Sequence, residues 1–244
     1  MNIKITLALL LFIFSNVVSA QSDLPQDYLN SEFHQARREA LRKSMPENSV
    51  AIFFANPVRN RANDVNFVYH QDPNFHYLTG LNDPHSVLVI FSEDQEEEGH
   101  TFNETVYIYE RSARYKRYMG EGTGVKGARE KLGLTHVYPA QDFIDKPIDF
   151  SKFDKIMFRE IGTDVRKSGR EQPNLYALIE QFKTSINTIP MPKDKEIDSR
   201  TSELVTVVDN KTLRTLMATL REVKSEEELK LIKKAILAGL RRSF

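Results

Sequence analysis

Between residues 70 and 91 the chain reads HQDPNFHYLTGLNDPHSVLVIF, with His70, His76 and His85 and the aspartates Asp72 and Asp83 just ahead of an apolar run. Imidazoles and carboxylates are the donors of divalent-metal sites, and the same groups serve as general acids and bases. In an extended chain His70 and His76 share a face, as do Asp83 and His85, so a four-donor cage can be drawn. Pro73 and Pro84 interrupt that extension, however. Zinc sites also tend to carry a tighter pair, such as two histidines one helical turn apart. Partly exposed loop residues lining a surface are the favoured reading. A free-standing hydrolase using His70, His76 and Asp83 meets the same spacing objection. No Gly-x-Ser-x-Gly elbow occurs in the chain, and with no cysteine, thiol catalysis is excluded.

Two further stretches bear on chemistry. GEGTGVKG places Gly120, Gly122, Gly124 and Gly127 before a short helical pattern, and such a turn can cradle phosphate on backbone N–H groups. The dinucleotide pattern needs a buried strand directly ahead of it, and ARYKRYM is too basic for that. The Lys-Ser/Thr of a P-loop is also missing, so a glycine-rich surface turn is the better reading. In RNRANDVNFVYHQ, Arg59, Arg61 and Asp64 precede the aromatics Phe67 and Tyr69. An aspartate between arginines is ordinarily a paired surface carboxylate.

The elements that must position these residues alternate between helix and strand. Asn30 or Ser31 can cap a helix through EFHQARREALRKSM, with Phe33, Ala36, Ala40 and Leu41 on one face and Pro46 as its stop. SVAIFFAN (49–56), SVLVIFS (86–92), TVYIYER (105–111) and KIMFRE (155–160) read as strands. EDQEEEGHTFN, between the second and third, reads as a solvated acidic loop. VKGAREKLGL (125–134) and NLYALIEQFKTSIN (174–187) read as helices, and 189–200 as a loop or crossover. Two helical segments close the chain, the second opening with a capping box of Ser225 and Glu228. This alternation predicts an α/β domain with a largely buried sheet.

The first 20 residues carry Lys4, an apolar core over 5–14 and small residues before a cut after Ala20, the layout of a secretory signal peptide. The run is interrupted too early to span a bilayer. The chain is therefore expected to be exported, periplasmic or secreted, with no membrane attachment after cleavage. The 244 residues balance 34 basic against 34 acidic side chains, which gives no footprint for nucleic acid. A core of this size needs no disulfide staples, consistent with the lack of cysteine.

Taken together, RNRANDVNFVYHQDPNFHYLTGLNDPHSVLVIF (59–91) resembles the opening domain of the Xaa-Pro aminopeptidases, the aminopeptidase P family. Its pattern R-x-x-D-x-x-Y-x-Y-R-Q-x-x-x-F-x-Y-x-T-G-F-x-x-P is met by Arg61, Asp64, Gln71, Phe75, Tyr77, Thr79, Gly80 and Pro84. Phe67 stands for the first tyrosine and His70 for the arginine. YMGEGTG (118–124) is similar to the family's aromatic-x-Gly-x-x-x-Gly segment, with Tyr118 where tryptophan is frequent. LREVKSEEELKLIKKAI (220–236) is similar to the connector that joins this domain to the catalytic one.

After the signal peptide at 1–20 and a loose lead-in at 21–29, the resemblance implies an N-terminal domain at 30–210, built on a mixed β-sheet flanked by helices, and connector helices at 211–244. It also implies what the chain lacks. In the full-length family a pita-bread domain holds two divalent ions, typically manganese, on two Asp, one His and two Glu that lie beyond the connector. No metal ligand and no catalytic residue is thus expected here, and the chain alone should be inert. The N-terminal domain would supply homo-oligomer contacts and, for Xaa-Pro peptides, pocket residues acting in trans. Asp64 would meet the free amino end and Tyr118 would stack beside the proline pocket. The rival expectation is a stand-alone exported module for peptide binding or oligomerisation.

Overall fold

The computed structural model describes residues 29–63, 65–159, 161–162, 164–167, 172–187 and 208–241. The expected signal peptide, residues 21–28 of the lead-in and the 189–200 crossover lie outside them. The described residues run α1 (Ser31–Ser44), β1 (Ser49–Phe54), β2 (Asn60–Ala62), β3 (Val65–Asn66), α2 (Pro73–Thr79), β4 (Val87–Glu97) and β5 (His100–Ile108). They continue as α3 (Ala113–Met119), α4 (Gly124–Leu132), β6 (Val137–Pro139), α5 (Ala140–Asp145), β7 (Lys155–Phe158), α6 (Leu175–Asn187), β8 (Val208–Asp209), α7 (Thr212–Glu222) and α8 (Glu226–Arg241).

One six-stranded sheet, in the order β6-β5-β4-β1-β7-β8, organises the domain. β4 pairs antiparallel with both β1 and β5, whereas β1–β7, β5–β6 and β7–β8 are parallel. The sheet is therefore mixed, as the family resemblance implies. β1 reads as an unbroken apolar run because both faces of the sheet are covered. On one face Val50, Ile52, Val87, Val89 and Phe91 meet Phe143 of α5 and Leu178 and Phe182 of α6. On the other, α1, α2 and α7 pack on β4, β1 and β7 and on one another.

Three sequence expectations are corrected. α1 begins where predicted, with Asn30 Oδ1 accepting from the Phe33 N–H at 3.0 Å, but its inward face is Phe33, His34, Arg38 and Leu41. Ala36 is exposed. The acidic stretch is no loop: β4 and β5 run on as a hairpin that turns at Glu98 and Gly99, both at positive φ, with a register shift between Ile90 and Gln95. Charged side chains suit it because this end of the hairpin stands largely in solvent. Residues 73–79, read as loop, form helix α2. Pro73 occupies the first turn, where its missing N–H costs nothing.

Asn30–Lys224 makes one compact unit, and α8 belongs to a second. α8 opens with the predicted capping box: Ser225 N–H donates to Glu228 Oε2 at 2.9 Å, and Glu228 N–H to Ser225 Oγ at 3.3 Å. Its Ile232, Ile236 and Leu237 are exposed. Among the described residues no helix is long and apolar enough to cross a membrane.

Candidate functional site

After β1 the chain leaves the sheet as the small β2–β3 hairpin, then returns through 67–72 into α2. The hairpin is held by its own polar groups. Asn60 Nδ2 donates to the carbonyls of Asn63 and Val65, and the Phe67 N–H donates to the Arg59 carbonyl at 2.9 Å. Every described residue of β2 and β3 is exposed. So are Phe67 and Val68 that follow. Asp64, the predicted amino-end contact, lies outside the described residues.

The return is fixed by Gln71. Its Oε1 accepts from the Asn56 N–H, the Tyr69 hydroxyl and the Asp72 N–H, each at 2.9 Å, and its Nε2 donates to the Asp83 carbonyl at 2.9 Å. One side chain thus ties the end of β1, the base of the hairpin, the start of α2 and the approach to β4. Burial, then the negative charge of Asp83, push the Tyr69 phenol well above its ordinary value, so it stays a neutral donor. Asp72 caps α2, accepting from the Asn74 and Phe75 N–H groups through Oδ1, while Arg159 reaches its Oδ2 at 2.7 Å. Gly80 closes α2 at φ 72°, and a Cβ there would lie 2.8 Å from His34 Nε2. Only glycine fits this close left-handed turn.

Asp83 joins this frame to the glycine-rich segment. Its carboxylate accepts from the Thr123 N–H at 3.2 Å and from Arg111 Nη2 at 3.4 Å. Glu110 accepts the Val125 N–H at 2.7 Å, so two carboxylates satisfy open donors at the start of α4. At Gly122, φ 71°, a Cβ would meet Arg111 Nε at 2.7 Å, which accounts for that glycine. Tyr118 stands on α3 with 74% of its surface exposed. Two of the three stretches that carry the family resemblance, 59–91 and 118–124, are therefore joined through Asp83.

The histidines are not gathered. His70 is exposed, and its backbone carbonyl accepts from Asn56 Nδ2. His76 Nδ1 faces the Leu81 carbonyl at 3.2 Å, and His85 Nδ1 accepts the Leu175 N–H at 3.1 Å. Among the described residues no group of three or more His, Asp or Glu is placed to hold a metal ion. With Asp72 and Asp83 committed to N–H groups and arginines, this donor set does not fit a divalent-ion pair. Sequence reasoning missed His34 and Arg38 on α1, both buried: His34 Nδ1 faces the Tyr77 carbonyl at 2.8 Å. Their i, i+4 spacing was the available signal, but polar residues do not register in an apolar stripe.

Residues 34–152 match the family described as aminopeptidase P, N-terminal domain, and the chain carries that domain. The Xaa-Pro aminopeptidase of Escherichia coli (strain K12) is 32% identical over 133 residues, which is 54% of this chain and 27% of that protein. The mitochondrial intermediate cleaving peptidase 55 of Arabidopsis thaliana is 25% identical over 204 residues, 84% of this chain and 34% of that one. Solved aminopeptidase P from Escherichia coli with the inhibitor Pro-Leu shares the fold, with a TM-score of 0.59 at 21% identity, covering 83% of this chain and 41% of that chain. The matched region is about a quarter to a third of the length of these curated relatives.

Proposed function

We propose that this chain is the non-catalytic N-terminal domain of an exported Xaa-Pro aminopeptidase, a manganese-dependent metallopeptidase that removes the residue before proline. Its role is to make oligomer contacts and to complete a substrate pocket whose chemistry belongs to a separate catalytic domain. Asp64 contacts the substrate's free amino end and Tyr118 flanks the proline pocket. No step of metal chemistry is assigned to this chain, because its described donors do not fit the ions.

The observation that carries this reading is the outward presentation of the resemblance-bearing side chains. Phe67, Val68 and Tyr118 are exposed on a frame whose polar groups are spent on holding it. A surface so fixed, with apolar tips and no reacting group, suits contact with another domain. The decisive experiment introduces Asp64→Ala into a full-length homologue and measures cleavage of an Xaa-Pro peptide. A fall in kcat/KM with an unchanged oligomer supports the reading, and unchanged turnover and affinity sink it.

A second reading is a stand-alone exported module for peptide binding or oligomerisation. The compactness of Asn30–Lys224 favours it. Genomic sequence past codon 244 separates the two. An open frame encoding two Asp, one His and two Glu in order selects the first.

A further inference from the structure

The chain leaves the carboxyl end of β1 for α2 on one face of the sheet, and leaves the carboxyl end of its parallel neighbour β7 for α6 on the other. Connections that part in opposite directions from adjacent parallel strands leave a crevice between them. In open α/β sheets that crevice is where ligands sit. Here it comprises a cleft of about 650 Å³ and a smaller one of about 200 Å³, with Arg59, Asp164 and Leu175 as walls of both. The larger falls within the range of small-molecule sites, ~300–1,000 Å³.

The larger cleft has a polar floor and an apolar, basic mouth. His85, at the start of β4, and Asn174, before α6, form the floor with 7% and 3% exposure. The Leu175 N–H donates to His85 Nδ1, so the neutral ring carries its proton on Nε2. Phe67 and Tyr176 supply aromatic surface on opposite connections. Among the described residues of the crevice, three guanidinium groups, Arg59, Arg159 and Arg166, face two carboxylates, Asp72 and Asp164, an excess of positive charge. Arg166 makes no ion pair among the described residues. The Arg59–Asp164 pair, 2.7 Å long, is 51% and 47% exposed, and pairs that open to water are readily exchanged for another anion.

We propose that this crevice binds a small carboxylate ligand. The carboxylate pairs with Arg166 and Arg59 at the mouth, and an apolar body lies between Phe67 and Tyr176 above His85 and Asn174. A short peptide held by its C-terminus and a free organic acid present the same chemistry. Phe67 belongs to both readings, but Tyr118 does not line the crevice, so failure of this titration and failure of the Asp64→Ala test are distinguishable.

The test is an amide NMR titration of the signal-cleaved chain with Ala-Ala-Phe, with its C-terminal amide, and with propionate. Saturable shifts at Phe67, His85 and Tyr176 are expected from the free acid. Amidation of the peptide, or Arg166→Gln in the protein, should weaken binding roughly tenfold, the loss of one charge-assisted hydrogen bond. Lys126→Gln, on α4 and outside the crevice, should leave it unchanged. Tighter binding of the tripeptide than of propionate assigns a peptide, and equal binding assigns a free acid. No saturable shift up to about 10 mM, or equal binding of acid and amide, overturns the proposal.

Discussion

Arg38 and the β2–β3 hairpin sort polar and apolar groups in opposite ways. Arg38 is 1% exposed in the middle of α1, yet its guanidinium is matched, with Nε 2.6 Å from Glu104 Oε2 and Nη1 2.8 Å from the Leu78 carbonyl. Three elements, α1, α2 and β5, are pinned by one side chain. Across the domain the hairpin and its return hold Val65, Phe67 and Val68 at 54%, 57% and 81% exposure, with no core beneath them. A buried charge persists when each donor has a partner, and an apolar group left in water points to a surface not covered by its own chain. The first region is architecture, and the second is an apolar surface that its own chain leaves uncovered.

That contrast can be broken from either side. The largest effect is expected from Arg38→Met, which strands Glu104 and the Leu78 carbonyl. A loss of about 3 kcal/mol, read as a urea midpoint shift and a Tm lower by roughly 6–12 °C, fits the architectural role. A loss below about 1 kcal/mol would contradict it. Gln71→Leu comes next, because it leaves the Asn56 and Asp72 N–H groups without their acceptor. It should cost about 2 kcal/mol and speed proteolysis in 57–70 while the core melts cooperatively.

A smaller effect is tied to pH. Burial acts to raise the Asp209 pKa, but hydrogen bonds from Thr212 and Lys211 and the Lys155 ammonium outweigh it and hold the group at about 2. A carboxylate depressed in the folded state contributes stability above its unfolded pKa, ~3.9. That contribution is lost as the pH falls toward 2. Asp209→Asn should therefore flatten the stability profile between about pH 4 and 2, and a profile that keeps its slope would remove Asp209 from the account. The smallest effect on stability belongs to Phe67→Ser with Val68→Ser, within about 0.5 kcal/mol. The same pair should abolish any self-association seen by sedimentation. Loss of stability without change in association would reverse the assignment of the two regions.

Much of the fold is legible in the residues. Asn30 announces α1, the run 49–54 announces β1, and Ser225 with Glu228 announces α8, each because a local rule decides the outcome. What stayed hidden depends on partners far along the chain. α2 is unreadable as a helix while Pro73 and Pro84 are taken as breaks; it takes the Asp72 cap to turn Pro73 into a start. The charged stretch 93–103 pairs with itself only because β4 and β5 are already aligned by their apolar halves. At the candidate site, the role of Asp83 could not be read. Its partners Thr123 and Arg111 lie about 40 and 28 residues away, and nothing in the 70–91 stretch hints at them.

The two borders of the sheet carry a consequence for how this domain can multiply. β6 is three residues long and ends in Pro139, which has no N–H to offer, while β8, among the described residues, comprises Val208 and Asp209. Neither border offers an incoming strand a long, unbroken ladder of amides and carbonyls. Runaway stacking of copies into fibrils is thereby discouraged.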